Sequence, residues 1–262
     1  MEIQKIAEHI IAWLKEYATQ AGVKGFVVGV SGGIDSAVTS TLCARTGLPT
    51  VCVEMPIHQH PDQVNRAQEH ILQLKARFTN VSGERVDLTE SFETFKTAVP
   101  TTDNETILNL TLANTRARLR MTTLYYIAGL HSSLVAGTGN KVEDFGVGFY
   151  TKYGDGGVDI SPIADLMKSE VFALGAYLEV PNTIQKAAPT DGLFGDSRTD
   201  EDQLGASYDE LEWAMKQQDK GSLLNDFEGR EKEVYAIYTK LNNANKHKML
   251  EIPVCEIPET WK

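Results

Sequence analysis

The segment from Phe26 to Arg45 constrains the fold of this chain more than any other stretch. Phe26 to Val30 is short and uniformly apolar, which is typical of a buried strand, and Ala37 to Arg45 has a helical pattern. Between them lies the turn Ser31-Gly32-Gly33-Ile34-Asp35-Ser36. Because a strand that turns directly into a helix begins a parallel α/β unit, ligands are expected beyond the carboxyl end of this strand.

Strand and helix patterns alternate along the first half of the chain. Helical periodicity predicts an opening helix with apolar residues at Ile3, Ile6, Ile10, Leu14 and Tyr17, and further helices over 61–78 and 106–129. Apolar runs predict strands over 50–54 and 133–137, and a weaker pattern predicts one over 84–87. We therefore predict an α/β fold with a doubly wound, mostly parallel, Rossmann-like sheet, helices on both faces and a helical C-terminal part, in one domain over 1–262.

The charge balance excludes two classes of partner. The chain carries 25 basic and 36 acidic residues, a net charge of −11, and such a chain repels nucleic acids and anionic membrane surfaces. No apolar run approaches the roughly 20 residues of a membrane span, and the N-terminus has no targeting pattern. Cys43, Cys52 and Cys255 show no pairing pattern. A cytoplasmic protein with reduced thiols is expected.

The acidic surplus is not spread evenly. Residues 191–262 hold 9 basic and 16 acidic residues, which gives −7 of the −11. Residues 110–168 hold 6 basic and 5 acidic residues, a net charge of +1. An anionic ligand would therefore meet least repulsion in the central part of the chain.

The glycine-rich turn has the chemistry of a phosphate cradle. Adjacent glycines let the backbone turn tightly so that its N–H groups converge on an anion, and the following helix N-terminus adds partial positive charge. The turn lacks the Gly-Lys-Ser/Thr of a Walker A loop and the spacing of a dinucleotide fingerprint. Since Asp35 would repel a bare phosphate, Mg²⁺ between the two is the natural partner.

This turn resembles the PP-loop of the N-type ATP pyrophosphatases, which cleave ATP to AMP and pyrophosphate while they adenylate a substrate. The superfamily includes GMP, asparagine and argininosuccinate synthetases. The resemblance implies an adenine nucleotide alpha hydrolase-like fold. It also implies that ATP is bound by Gly29, Val30, Ser31, Gly32, Gly33, Ile34, Asp35 and Ser36.

A second block of sequence resembles one member family, the NAD synthetases. Gly137-Thr138-Gly139-Asn140-Lys141-Val142-Glu143 is followed by Thr151-Lys152-Tyr153-Gly154-Asp155-Gly156-Gly157-Val158-Asp159-Ile160. The likeness continues through Lys186 to Thr190, Thr199 to Gly205, Ser207-Tyr208-Asp209 and His247-Lys248. It thus extends from about residue 3 to about residue 250.

The resemblance implies an ammonia-dependent carbon–nitrogen ligase for the last step of NAD biosynthesis. Such enzymes adenylate the nicotinate carboxylate of deamido-NAD with ATP, and ammonia then displaces AMP. The PP-loop begins at Gly29, which leaves no room ahead of it for a glutaminase domain. Two alternatives remain open, namely the same chemistry on nicotinate mononucleotide and a non-catalytic adenine-nucleotide-binding protein.

Site roles follow from the resemblance, residue by residue. It implies catalytic roles for Asp35, Lys152 and Lys168, ATP contacts by Thr138, Lys168 and Thr190, and Mg²⁺ ligation by Asp35 and Glu143. It implies deamido-NAD contacts by Arg118, Lys152, Asp159, His247 and Lys248.

Three features of the pattern leave alternatives. The spacing from Glu143 to Lys152 is one residue longer than in the commonest family pattern, so Asp144 is the alternative ligand. Asp191 is shifted by one position from the family acid, and no catalytic role is assigned to it. The acidic stretch 196–202 is either a solvated loop or a lid over the adenylate.

The long helix predicted over 106–129 carries more apolar residues than a narrow core stripe needs. A subunit interface is therefore expected there, and the family resemblance implies a homodimer. Arg116, Arg118 and Arg120 alternate on this helix and cannot all share one face, so at most two of them can point at a ligand.

Overall fold

The computed structural model describes residues 1–190 and 199–262. Within this part the elements are α1 (Ile3–Gln20), β1 (Gly25–Gly29), α2 (Ile34–Arg45), β2 (Thr50–Glu54), α3 (Pro61–Arg77), β3 (Val81–Arg85), α4 (Thr89–Ala98), α5 (Glu105–His131), β4 (Ser133–Val135), α6 (Lys168–Tyr177), α7 (Asn182–Gln185), α8 (Asp200–Leu204), α9 (Tyr208–Asp219) and α10 (Gly229–Met249). A π-helical turn spans Val142–Val147, and short 3₁₀ turns lie at Leu224–Asp226 and Glu259–Trp261.

The four strands form a parallel sheet in the order β3-β2-β1-β4. The chain moves outward from β1 to β3 and then returns to place β4 on the other side of β1. The strand order therefore reverses between β1 and β4, and parallel sheets bind ligands in the crevice at such a point. The glycine-rich turn leaves β1 there, and Gly137 and Thr138 follow β4.

Helices cover both faces of the sheet, as predicted from the sequence. Phe26 and Val28 of β1 pack in one apolar cluster with α1, α2 and α6. Val27, on the opposite face, packs in another cluster with α4 and α5. A third cluster joins the π-helical turn to α8, α9 and α10, which forms the helical C-terminal part. The predicted fold class is confirmed.

Three element boundaries differ from the sequence prediction. The strand predicted over 84–87 lies at Val81–Arg85, because it is an edge strand in which only Val81 is buried and the apolar pattern is weak. The strand predicted over 133–137 ends at Val135 and is extended by a single bridge from Ala136 to Ile160. Helix α2 begins at Ile34 instead of Ala37, so Asp35 and Ser36 lie in its first turn.

No helix of the described ranges combines the length and the apolar character that a membrane crossing requires. The three cysteines carry no disulfide; Cys43 and Cys52 are buried and Cys255 is exposed. Burial raises the pKa of the Cys52 thiol to about 12, so this group stays a neutral thiol.

We predict that acid lowers the free energy of unfolding of this protein through His70 of α3. The ring is fully buried, its Nε2 lies 2.9 Å from Ser40 Oγ of α2, and burial lowers its pKa to about 4. In the unfolded chain the group titrates near 6.5, so its contribution to stability is complete above that pH and is lost as the pH falls towards 4. The loss is expected to reach roughly 3 kcal/mol.

Urea unfolding at pH 7, 6, 5 and 4 measures this effect. His70→Asn is expected to flatten the decline in unfolding free energy between pH 6.5 and 4, whereas the exposed-site control His9→Gln keeps the wild-type slope. Equal slopes for His70→Asn and the wild-type protein would show that His70 is not the group responsible.

Candidate active site

The predicted ATP-binding residues lie together at the crevice beside the carboxyl ends of β1 and β4. All of them line one cavity, namely Gly29, Val30, Ser31, Gly32, Gly33, Ile34, Asp35, Ser36, Thr138, Lys168 and Thr190. Glu143 lines the same cavity. Sequence-distant segments that the resemblance assigned to one nucleotide are therefore adjacent in the fold.

The glycine-rich turn is held in shape by its own polar groups. Gly32 has a φ of +83°, and a Cβ added there would lie 2.5 Å from the Gln63 carbonyl oxygen, so only glycine fits. Arg66 Nε donates to the Gly32 carbonyl at 3.1 Å, and the Ser31 and Ser36 hydroxyls are 3.1 Å apart. The anion cradle is thus formed before a ligand arrives.

Helix α2 starts without a side-chain cap. Its N-cap residue, Gly33, provides no acceptor, whereas Asn104 at the start of α5 accepts a hydrogen bond from the Ile107 N–H at 3.1 Å. The first-turn N–H groups of an uncapped helix remain available for an anion, and the helix dipole favours negative charge there. This end of α2 borders the cavity and suits a phosphate group.

A buried lysine joins two acids at the floor of the cavity. Lys168 Nζ, from a side chain only 3% exposed, lies 2.6 Å from Asp35 Oδ2 and 2.9 Å from Glu143 Oε1. Burial opposes the lysine charge, but the two carboxylates outweigh it and raise the pKa of Lys168. Despite its burial, Glu143 has a lowered pKa because Lys168 and Tyr208 stabilise its carboxylate. The ammonium and the Glu143 carboxylate are therefore both charged at neutral pH.

The sequence analysis assigns no role to two residues that hydrogen-bond to the acids of this cluster, Tyr208 and Asn140. The Tyr208 hydroxyl donates to Glu143 Oε1 at 2.6 Å and lies 3.2 Å from Asp200 Oδ2. Burial and the two carboxylates raise the pKa of Tyr208, so its phenol stays protonated and can donate. Asn140 Nδ2 donates to Asp35 Oδ1 at 3.0 Å. Tyr208 and Asn140 both fall within matched motifs, and nothing in the motifs distinguishes them from neighbouring residues.

The charges of this cluster fit a divalent cation. Asp35 and Glu143 against Lys168 give a formal charge of −1 at this point of the cavity. No three His, Cys, Asp or Glu side chains converge as a metal centre within 1–190 and 199–262. Proteins bind Mg²⁺ through one or two carboxylates while phosphate oxygens and water fill the other positions, and the pair Asp35 and Glu143 fits that pattern.

The structure separates Glu143 from its alternative, Asp144. The Asp144 carboxyl packs against Gly139, where an added Cβ would collide with it, and burial raises its pKa well above the usual range. Both residues lie in the π-helical turn Val142–Val147, which takes up one residue more per turn than an α-helix. This turn leaves Glu143 beside Lys168.

The predicted deamido-NAD residues form a separate group. Arg118, Lys152, Asp159, His247 and Lys248 are not among the described residues that line the cavity. Arg118 donates to the Lys152 carbonyl at 3.3 and 3.4 Å, and Lys152 Nζ donates to the His247 carbonyl at 3.0 Å. These three residues form an exposed chain from α5 to α10.

The other two members of that group have partners within the fold. Lys248 Nζ donates to the carbonyls of Gly148 and Tyr150, both at 2.7 Å, and fixes the loop after the π-helical turn. The Asp159 carboxylate accepts from the Tyr125 hydroxyl at 3.0 Å and from the Val135 N–H at 2.8 Å. In this structure both residues hold loops and strands in place.

Of the three alternating arginines, Arg120 faces the cavity. Its Nε donates to the Met55 carbonyl at 3.0 Å and its Nη2 to Gln59 Oε1 at 2.7 Å. Arg116, one helical turn earlier on the same side, packs over the Phe92 ring at 4.4 Å. Sequence spacing excluded a shared face for all three arginines and did not identify Arg120.

Comparison with known protein families gives the same family that the sequence motifs resemble. The family model described as NAD synthase matches residues 6–252. The chain belongs to the NAD synthase family. The predicted family resemblance is therefore confirmed over nearly the whole sequence.

Individual relatives agree with this assignment. The NH(3)-dependent NAD(+) synthetase of Alkaliphilus metalliredigens is 36% identical and aligns over 98% of this chain and 100% of its own. Among solved structures, the NMN synthetase from Francisella tularensis has a TM-score of 0.82 at 31% identity, with 99% of both chains covered. The NH3-dependent NAD synthetase from Campylobacter jejuni has a TM-score of 0.78 at 27% identity, with 98% and 100% covered.

Two questions that the sequence analysis left open, the role of Asp191 and the nature of the acidic stretch 196–202, concern residues that the structure does not fully describe. Asp191 and residues 196–198 of the acidic stretch belong to 191–198, which the structure does not describe. The part of that stretch from Thr199 onward is described. Asp200 in α8 is buried and faces Tyr208.

Proposed function

We propose that this chain catalyses the ATP-dependent amidation of deamido-NAD to NAD with ammonia and releases AMP and pyrophosphate. The observation that carries the proposal is the convergence of the PP-loop with Asp35, Glu143 and Lys168 in one cavity. Relatives that align over nearly all of this chain are NH(3)-dependent NAD(+) synthetases, which supports ammonia as the nitrogen donor and NAD as the product.

The first step forms an acyl adenylate. An oxygen of the nicotinate carboxylate attacks the α-phosphorus of ATP, the bond from that phosphorus to the β-bridging oxygen breaks, and pyrophosphate leaves. The PP-loop N–H groups and hydroxyls bind the departing pyrophosphate, and Lys168 offsets its growing negative charge. Asp35 and Glu143 would hold Mg²⁺, which when bound supplies further positive charge at the phosphates.

The second step needs no covalent bond to the protein. Ammonia attacks the carbonyl carbon of the adenylate, a C–N bond forms, the bond to the AMP oxygen breaks, and one proton leaves the nitrogen. The task of the protein is to position the reactants and exclude water, because the adenylate would otherwise hydrolyse.

A product assay tests this proposal. Incubation with ATP, Mg²⁺, ammonium and deamido-NAD is expected to yield NAD, AMP and pyrophosphate in equal amounts. Release of ADP and phosphate would refute it. Stable ATP binding without turnover would instead favour the non-catalytic nucleotide-binding alternative.

Nicotinate mononucleotide is a second candidate substrate. It is favoured by the similarity to the solved structure of the NMN synthetase from Francisella tularensis, which has a TM-score of 0.82 to this chain. It also agrees with the position of the predicted dinucleotide residues outside the ATP cavity. The ratio of kcat/KM for deamido-NAD and the mononucleotide decides between the two substrates. A ratio above one supports the main proposal.

We also propose that the chain forms a homodimer through α5. This helix exposes the apolar residues Ile107, Leu110, Tyr125, Tyr126 and Leu130, with exposures from 37% to 68%. Exposed large apolar side chains of this kind, at both ends of one helix, mark a candidate interaction surface. The free cysteines also suit a protein of the reducing cytoplasm, the compartment proposed here.

Leu110→Glu is expected to dissociate this dimer. In a two-fold interface each substitution occurs twice, and losing two buried leucines weakens association by roughly 100-fold or more. Light scattering coupled to gel filtration measures the mass, and Leu223→Glu is the control because Leu223 is even more exposed than Leu110 but lies outside α5. A dimeric Leu110→Glu variant, or a monomeric wild-type protein, would contradict the α5 interface.

A further inference from the structure

Glu143 is held by a residue to which neither the motifs nor the family comparison assigns a role. Tyr208 is the first residue of α9 and is only 5% exposed. Its hydroxyl donates to Glu143 Oε1 at 2.6 Å, the same oxygen that accepts from Lys168 Nζ at 2.9 Å. Two donors on one oxygen fix the orientation of the carboxylate.

Only one of these two donors is compatible with a bound cation. The Lys168 ammonium lies between Asp35 and Glu143, and its positive charge would oppose a divalent ion held by these acids. The Tyr208 phenol is neutral and meets no such repulsion. It can donate to Glu143 whether or not a cation is bound.

The backbone of Tyr208 is fixed as firmly as its hydroxyl. The Tyr208 N–H donates to Glu201 Oε1 at 2.9 Å, and the capping box of Ser207 and Glu210 starts α9 at this point. The Asp200 N–H donates to the Pro189 carbonyl at 3.0 Å, and Pro189 lines the ATP cavity. The phenol is therefore anchored to the wall of the nucleotide cavity.

We propose that Tyr208 is a positioning residue that holds the Glu143 carboxylate in the orientation required to receive the Mg²⁺ of bound ATP. This inference rests on the proposed function, since it assumes that the cavity binds a metal–nucleotide complex. Mg²⁺ demands nearly ideal octahedral geometry, so a ligand that rotates freely binds it poorly. Partners that orient metal ligands typically contribute 10- to 100-fold to metal affinity.

Tyr208→Phe removes the hydroxyl and keeps the ring that packs among α8, α9 and α10. We expect this variant to need about tenfold more Mg²⁺ for half-maximal turnover, with kcat at saturating Mg²⁺ close to wild type. Mn²⁺ binding in the presence of α,β-methylene-ATP, measured by electron paramagnetic resonance, is expected to weaken by the same factor. Tyr238→Phe is the matched control, because Tyr238 is buried in the same cluster and is expected to leave both constants unchanged.

Several outcomes would overturn the inference. Unchanged Mn²⁺ affinity in Tyr208→Phe would do so, and so would a lower kcat with an unchanged metal requirement, which indicates a merely structural role. In a Glu143→Gln background the Phe substitution should have no further effect on Mn²⁺ binding; an additive effect would contradict action through Glu143. Thermal unfolding of the metal-free variants confirms that each is folded.

The binding measurement also separates this inference from the proposed function. If wild-type protein binds no Mn²⁺ with the ATP analogue, both the metal assignment and the role of Tyr208 fail. If it binds Mn²⁺ but forms no NAD, the proposed function fails, and the effect of Tyr208→Phe on Mn²⁺ affinity still decides the inference.

Discussion

Asp35→Asn is expected to reduce pyrophosphate release by roughly 10²- to 10³-fold and to leave the fold intact. Asp35 lies in the first turn of α2 with Oδ2 2.6 Å from Lys168 Nζ. Asparagine has nearly the same shape and can still accept from Asn140 Nδ2, which now donates to Asp35 Oδ1 at 3.0 Å. The substitution removes one of the negative charges that the cavity presents to a metal ion.

A coupled pyrophosphate assay with saturating ATP and deamido-NAD measures this effect. Asp103→Asn is the control, because Asp103 is an exposed acid ahead of α5, outside the residues that line the cavity. Circular dichroism checks that both variants are folded. Turnover of Asp35→Asn within a few-fold of the wild-type rate would contradict a metal-binding role for this carboxylate.

Lys168→Met is expected to destabilise the protein as well as to inactivate it. The lysine is almost completely buried, and its loss leaves Asp35 and Glu143 without their cation. Removing one partner of a buried ion pair costs about 3–5 kcal/mol. Loss of Lys168 also removes the main attraction that lowers the pKa of Glu143, so the two facing carboxylates hold protons more tightly in the folded chain than in the unfolded one.

The sign of the pH effect follows from this proton binding. When the folded state binds protons more tightly, stability rises as the pH falls, so the deficit in unfolding free energy of Lys168→Met relative to the wild-type protein should shrink between pH 7 and pH 5. Mg²⁺ should also restore stability, because it binds only the folded site and replaces the missing charge.

Urea unfolding with and without Mg²⁺ at pH 7 and pH 5 measures both effects. The control is Lys141→Met, whose partner Asp165 is 95% exposed. This substitution should cost little and should keep the wild-type dependence on pH and on Mg²⁺. If Lys168→Met is as stable as the wild-type protein at pH 7 without Mg²⁺, the buried acids are not coupled to Lys168 in the way the structure indicates.

The parts of the site that lie on one continuous segment were readable from sequence. The turn at residues 31–36 carries its own chemistry, because glycines, hydroxyls and a helix start follow directly on an apolar strand. Strand β2 was predicted with the same bounds that the structure shows, Thr50–Glu54, since it is buried along its whole length. Where a strand is exposed, as in β3, the apolar signal fades and the prediction is displaced by three residues at its start.

Contacts between distant segments could not be read in the same way. The phenol of Tyr208 meets Glu143 across 65 residues of sequence, and only the packing of α9 against the π-helical turn brings them together. Arg120 lines the cavity and Arg118 does not. Which of the two faces the cavity depends on how α5 is rotated about its axis, and residue spacing alone does not determine that rotation. The assignment of Arg118, Lys152, Asp159, His247 and Lys248 to deamido-NAD remains a prediction.

The central claim is that the substrate carboxylate is activated by direct attack on the α-phosphorus of ATP. Deamido-NAD labelled with ¹⁸O in both oxygens of its nicotinate carboxylate tests this claim. Mass spectrometry is expected to find one ¹⁸O in AMP, the other in the carboxamide of NAD, and none in pyrophosphate. AMP without label, or label in a released phosphate, would contradict an acyl-adenylate route in this site.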